Sequence, residues 1–131
     1  RIYKLLKNNL KKKKICFLGV TFKANTDDMR DSASLTMIPA LINKGAIINY
    51  YDPTGFKNEF KKYKNASFCN SIEKAIQNSD LIIIHTEWND FKSINFKKIL
   101  KNKRAIIFDM RNIYSSSKIK EQGFRYVGIG R

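Results

Sequence analysis

Within residues 14–35 the chain sets Lys23, Asp27, Asp28, Arg30, Asp31, Ser32 and Ser34 close together. Lys23 and Arg30 carry fixed positive charge, which suits a ligand bearing phosphates, and the planar Arg fork can grip two oxygens at once. The same cations could do no more than neutralise the three carboxylates on a solvated loop, and the residues alone leave both readings open. A further cation, Arg111, follows a buried apolar run; it could fork onto phosphate or sugar oxygens, or form a salt bridge to Asp109 or Asp90. His85, the only histidine, reads as a packed or hydrogen-bonded residue rather than a catalyst. Cys16 sits inside an apolar run and reads as core, whereas Cys69 reads as half exposed. No base stands near either thiol in sequence, and the two share no metal-type spacing. Neither thiol therefore reads as a nucleophile, and no metal site is expected.

The elements that must place these side chains can be read from apolar periodicity. The first apolar run, Ile15, Cys16, Phe17, Leu18 and Val20, is a buried strand. The charged loop follows it, then a helix capped by Asp31 or Ser32 with Leu35, Ile38, Leu41 and Ile42 on one face and Lys44-Gly45 at its end. Free N–H groups at that helix start, beside Lys23 and Arg30, would suit phosphates. Residues 46–51 form a second strand closed by Asp52-Pro53. Asp52 could grip a ribose, but the first crossing has only Gly19 in place of G-x-G-x-x-G, so a turn is the better reading.

Residues 54–65 set Phe56, Phe60 and Tyr63 on one face of a short Lys-rich helix. Such a face can also stack on single-stranded nucleic acid. Next come a short edge strand at 66–69, a helix at 71–78 capped by Ser71, and the continuous apolar run 80–86, a central strand covered on both faces. Residues 96–100 are helical, 104–109 a buried strand, 115–122 a last helix ended by Gly123, and 124–129 a final strand. Strands alternating with helices imply a doubly wound, Rossmann-like three-layer α/β/α domain with a mainly parallel sheet. Lys23, Glu87 and Arg111 should then meet at the carboxyl edge of that sheet, where such folds bind ligands.

A chain of 131 residues is one domain. No apolar run approaches the roughly 18 residues of a membrane span, and residues 1–14 lack a signal-peptide core, so a cytoplasmic protein without a membrane partner is expected. The net charge of +15 would suit nucleic acid. Lys supplies 20 of the 26 basic residues, however, and Lys, Asn and Ile are all abundant, as an A/T-rich coding sequence would produce. The cations are also scattered along the chain, so no nucleic-acid partner is expected. A free-standing nucleotide- or nucleic-acid-binding module, and a purely structural closing domain, stay open as alternatives. Ile2, Leu5, Leu6 and Leu10 at helical spacing, together with a start at Arg, read residues 1–13 as the end of a connecting helix from an upstream domain and 14–131 as the domain proper.

The run L-G-V-T-F-K-A-N-T-D-D-M-R-D-S resembles the signature that opens the C-terminal domain of the UDP-glucose and GDP-mannose dehydrogenase family. Tyr51-Asp52-Pro53, Thr86-Glu87-Trp88-Asn89-Asp90-Phe91, Phe108-Asp109-Met110-Arg111-Asn112 and the closing G-I-G-R fit the same family in the same order. The resemblance implies enzymes that oxidise the C6 alcohol of a nucleotide-sugar to a carboxylate, twice using NAD, through a thiohemiacetal on a cysteine. It implies an N-terminal NAD-binding domain and a central dimerisation domain upstream, a homodimer when full length, and a C-terminal domain that closes over the UDP-sugar. Carried over by position, Lys23 and Arg111 match family residues that contact the UDP-sugar, and Arg30 one that reaches NAD across the domain interface. The catalytic cysteine's Gly-rich motif is not in this chain, so the segment is expected to be inactive alone. The motifs look most like members acting on UDP-glucose in the synthesis of uronate-containing polysaccharides, with UDP-N-acetyl-hexosamine or GDP-mannose as alternatives.

Overall fold

Six short apolar runs set the frame, and all of them pair in the same direction. In the computed structural model, which describes residues 2–130, they are β1 (Lys14–Leu18), β2 (Ile47–Tyr51), β3 (Ala66–Phe68), β4 (Leu81–Ile84), β5 (Ile106–Asp109) and β6 (Arg125–Gly128). Every pairing is parallel and the strand order is β3-β2-β1-β4-β5-β6. That is the order of a doubly wound nucleotide-binding sheet, as expected.

Alternate side chains of β1 feed opposite faces. Ile15 and Phe17 join a core with Ile38, Leu41, Ile48 and Tyr50. Cys16 and Leu18 join another with Ile76, Phe96, Ile107 and Ile119. Helices α1 (Ile2–Leu5) and α2 (Ser34–Asn43) flank the first face, and α3 (Ile72–Ile76), α4 (Phe96–Ile99) and α5 (Ser116–Glu121) the second. The three layers follow from this division. β4 is buried at every position because both its faces are covered, which is why its sequence shows no alternation.

Three local expectations are corrected. The helix end foreseen within residues 1–13 stops after Leu5, because Lys7 and Asn8 turn into the left-handed region and let Leu6 and Leu10 drop into the core. The foreseen helix over 54–65 is a single 3₁₀ turn, Asn58–Phe60. The Tyr50 hydroxyl accepts the Lys57 N–H at 2.9 Å and Phe60 packs edge-on to the Tyr50 ring, so this stretch folds onto β2 instead of presenting an aromatic face; Phe56 alone is left out, 53% exposed.

The third correction concerns the start of α2. Its N-cap is Ala33, without a side-chain cap, and Asp31 sits at φ 60°. The hydroxyls of Ser32 and Ser34 both donate to Val20 O at 2.6 Å, satisfying the carbonyl where the chain leaves the sheet. Ser71, by contrast, caps α3 as foreseen, and Asn95 and Ser115 cap α4 and α5. Cys16 is buried, Cys69 is half-buried, and both thiols are free. Among the described residues no helix is long and apolar enough to cross a membrane. Arg1, and Arg131 of the closing G-I-G-R, lie outside the described residues.

Candidate functional site

β1 and β4 lie side by side at the centre of the sheet, and the chain leaves β1 toward one face and β4 toward the other. Folds of this kind bind ligands at such a switch point, outside the carboxyl ends of the strands. Gly19 ends β1 there, at φ +80°, so close to β4 that a Cβ would stand 2.5 Å from Thr86 Cβ. Thr86 fills the gap: its hydroxyl donates to Thr21 O at 3.0 Å and lies 3.0 Å from His85 Nδ1. On the other flank Asp52, 1% exposed, accepts Val20 N–H through Oδ2 at 2.8 Å and the Thr54 N–H and hydroxyl through Oδ1. Its oxygens are spent on the turn, which leaves no ribose grip.

Arg111 crosses this edge. Asp109 Oδ1 fixes its backbone N–H at 3.1 Å, and its Nε–H donates to His85 O at 2.9 Å, with Nη2 reaching Phe22 O at 3.4 Å. The salt bridge to Asp109 or Asp90 weighed from the sequence is absent among the described residues. Arg111 is instead held on carbonyls, which position a guanidinium without cancelling its charge. Phe22 precedes Lys23, an exposed residue whose ammonium forms no salt bridge among the described residues, although its charge reaches Asp28. The fold thus brings Lys23 and Arg111 to one edge from opposite ends of the sequence.

Arg30 is placed differently. It forks onto Asp28, Nε to Oδ1 and Nη2 to Oδ2, both at 3.0 Å, with 88% of its side chain exposed. The hydrogen bonds from Arg30 lower the Asp28 carboxyl to about 2. Neutralisation on a solvated loop therefore describes Arg30 and Asp28, with the Lys23 charge adding a smaller pull on the same carboxyl, and does not describe Arg111.

The foreseen anion cradle at the start of α2 is not formed. Ser34 N–H lies on Ser32 Oγ, Leu35 N–H on Ser32 O and Met37 N–H on Ala33 O. With these donors engaged and Gly19 pressed on Thr86, the first crossing does not fit a dinucleotide pyrophosphate, and no step of chemistry here runs through NAD. Among the described residues no group of His, Cys, Asp or Glu could hold a metal. Three concavities, of about 460, 260 and 220 Å³, are lined by residues other than Lys23, Arg30 and Arg111.

Glu87 is exposed beside this edge, while Trp88 turns inward, its Nε1–H without an acceptor among the described residues. The turn read at Asp52-Pro53 is formed, but sequence reasoning missed the reach of Asp52 to Val20 N–H and the clamping roles of Thr86 and Asp109. The one signal that could have found the acids is their place at strand ends, where an Asp receives the N–H two residues on.

His85 is 2% exposed, and burial, then the neighbouring Arg111 charge, lower its imidazole from 6.5 to about 4, against the pull of Asp52 and a Gly19 backbone group. As pH falls, the unfolded chain takes up this proton before the folded one. The stability that neutral His85 contributes is full above pH 6.5 and is lost between 6.5 and about 4, by roughly 3 kcal/mol at most. Denaturation midpoints of the wild type should fall more steeply across that window than those of His85→Asn. Parallel profiles would contradict this.

Comparison with known proteins agrees with the geometry. The model of the UDP-glucose/GDP-mannose dehydrogenase family, UDP binding domain, matches residues 16–116. The UDP-glucose 6-dehydrogenase of Rhizobium meliloti is 40% identical over 119 residues, covering 90% of this chain and 27% of that protein. That of Rickettsia conorii is 39% identical over 133 residues, covering 99% and 31%. Among solved structures, NDP-N-acetyl-D-galactosaminuronic acid dehydrogenase from Methanosarcina mazei superposes with a TM-score of 0.81 at 25% identity, over 98% of this chain and 27% of the other. UDP-D-ManNAc dehydrogenase from Pyrococcus horikoshii gives 0.74 at 29% identity, over 98% and 28%. The chain thus spans under a third of the length of the curated relatives it matches. With the motifs of the sequence, the doubly wound sheet and the match over residues 16–116 in agreement, the chain belongs to the UDP-glucose/GDP-mannose dehydrogenase family, of which it carries the UDP binding domain.

Proposed function

We propose that this chain is the C-terminal, substrate-closing part of a UDP-glucose 6-dehydrogenase, which oxidises UDP-glucose to UDP-glucuronate with NAD. The observation that carries the reading is that the loop bearing Lys23 and the side chain of Arg111 come to one edge at the β1–β4 switch point, neither cation in a salt bridge among the described residues. Two cations there face a diphosphate and, after oxidation, a uronate. Arg111 supplies a fork already aimed by two carbonyls, and Lys23 a mobile point charge.

The oxidation itself is assigned to the preceding part of the protein. Burial pushes the Cys16 thiol well above its usual range and raises that of Cys69, so neither is a ready nucleophile. NAD belongs to the same preceding domain, with Arg30, exposed at the rim, as this chain's contact to it. Residues 1–13 lead in from the NAD-binding and dimerisation domains, and the working enzyme is a homodimer in the cytoplasm. A second reading, another nucleotide-sugar as substrate, is favoured by the names of the two solved neighbours, which act on N-acetylated sugars.

Calorimetric titration tests the proposal. UDP and UDP-glucose should bind this chain weakly, and Lys23→Ala should lower that affinity by about 10-fold or more, the worth of one charge-assisted contact. The chain alone should show no NAD reduction with UDP-glucose. Tight, salt-sensitive binding of an oligonucleotide with no response to UDP would overturn the reading in favour of a polyanion-binding module.

A further inference from the structure

We infer that Asn112 is a positioning residue for Arg111: its side-chain amide locks the turn after β5 to the end of β6 and so holds the guanidinium at the ligand edge. The inference deepens the proposed function and rests on Arg111 being an anion contact.

The ladder between β5 and β6 ends at Asp109 opposite Gly128. Past that point Asn112 continues it with its side chain. Oδ1 accepts the Ile129 N–H at 2.9 Å and Nδ2 donates to Ile129 O at 3.0 Å, the two bonds that a neighbouring peptide group would make. To bring the amide there the backbone enters the left-handed region, φ 53°, which Asn adopts more readily than other side chains. Ile129 is 44% exposed, so little packing holds the end of β6 at this level; the amide does.

Arg111 is thereby pinned on both sides. Asp109 Oδ1 takes its own N–H, and the next residue is tied to Ile129. The guanidinium's own bonds are uneven: Nε to His85 O is a sound 2.9 Å, but Nη2 to Phe22 O, at 3.4 Å, is long. The direction of the side chain therefore depends on where the turn places its Cα. A fork held ready in this way loses less freedom on binding than a free one.

Asn112→Gly is the variant of choice, because Gly keeps the left-handed φ without strain while deleting the amide. Two quantities are read beside the melting temperature: solvent exchange of the Arg111 Nε–H in nitrogen-edited NMR spectra, and the Kd for UDP by calorimetry. The expected result is a melting temperature lowered by a few degrees, Nε–H exchange faster by about 10-fold, and a Kd for UDP raised about 3- to 10-fold. Asn112→Asp, which can still accept the Ile129 N–H but cannot donate, should fall between. Wild-type exchange and wild-type affinity in Asn112→Gly would overturn the inference. Arg111→Ala separates the two readings. If it leaves UDP affinity unchanged, Arg111 is not the anion contact, whereas faster Nε–H exchange in Asn112→Gly would still report the clamp.

Discussion

Gly19→Ala is expected to destabilise the domain by on the order of 3–5 kcal/mol, far beyond the usual loss for adding one methyl. Two costs combine. An alanine at φ +80° meets the left-handed penalty, about 1 kcal/mol. Its Cβ would also stand 2.5 Å from Thr86 Cβ, 2.7 Å from Oγ1 and 3.2 Å from the Thr86 backbone nitrogen. Thr86 cannot step aside, since it is fully buried and its hydroxyl bridges Thr21 O and His85. The strands would have to part at the switch point. Gly123→Ala is the control, because Gly123 has φ +92° but nothing within 4 Å of its would-be Cβ; it should lose only about 1 kcal/mol. Urea denaturation of the two variants isolates the contact, and equal losses would contradict it.

Asp109→Asn is expected to cost about 2–3 kcal/mol and Asp109→Ala about 3–5, near 10–20 °C in melting temperature for the latter. Asp109 is fully buried at the end of β5 and accepts from three donors: Arg111 N–H through Oδ1, and Tyr114 N–H and the Tyr126 hydroxyl through Oδ2. Asparagine can keep its oxygen on the Tyr114 and Tyr126 side, but its amide then faces the Arg111 N–H, donor against donor. Alanine removes all three acceptor contacts and leaves a void. Tyr114 ties the same cluster to the loop after β4, its hydroxyl donating to Phe91 O and pushed above its usual range by burial. The loss should therefore loosen both loops, and melting curves of the two variants in that order check it. An asparagine variant as stable as the wild type would contradict it.

The sheet was legible because its signal is local. Leu81 to Ile84 read as a strand covered on both faces from its unbroken apolar run, and the alternation of strands with helices implied a parallel sheet. The ends of elements were not, because distant groups decide them. Ser32 reads as an N-cap until the fold brings Val20 O to its hydroxyl, and residues 54–65 read as a helix until Tyr50 claims the Lys57 N–H. The candidate site was legible as an inventory, with Lys23, Arg30 and Arg111 all named. Which of the open readings each cation follows was not, since Arg30 pairs with Asp28 at the exposed rim whereas Arg111 reaches carbonyls 26 and 89 residues away.

The most direct test of a UDP-sugar site at this edge is a nitrogen-edited NMR titration of the chain with UDP, mapping which amide signals move. Shifts should concentrate on Phe22, Lys23, Thr86 and residues 111–112, and should vanish in Arg111→Ala. Shifts gathered instead around Lys7, Lys13 and Arg104, at the opposite end of the strands, or spread evenly over the surface lysines, would contradict the assignment of the carboxyl edge as the nucleotide-sugar site.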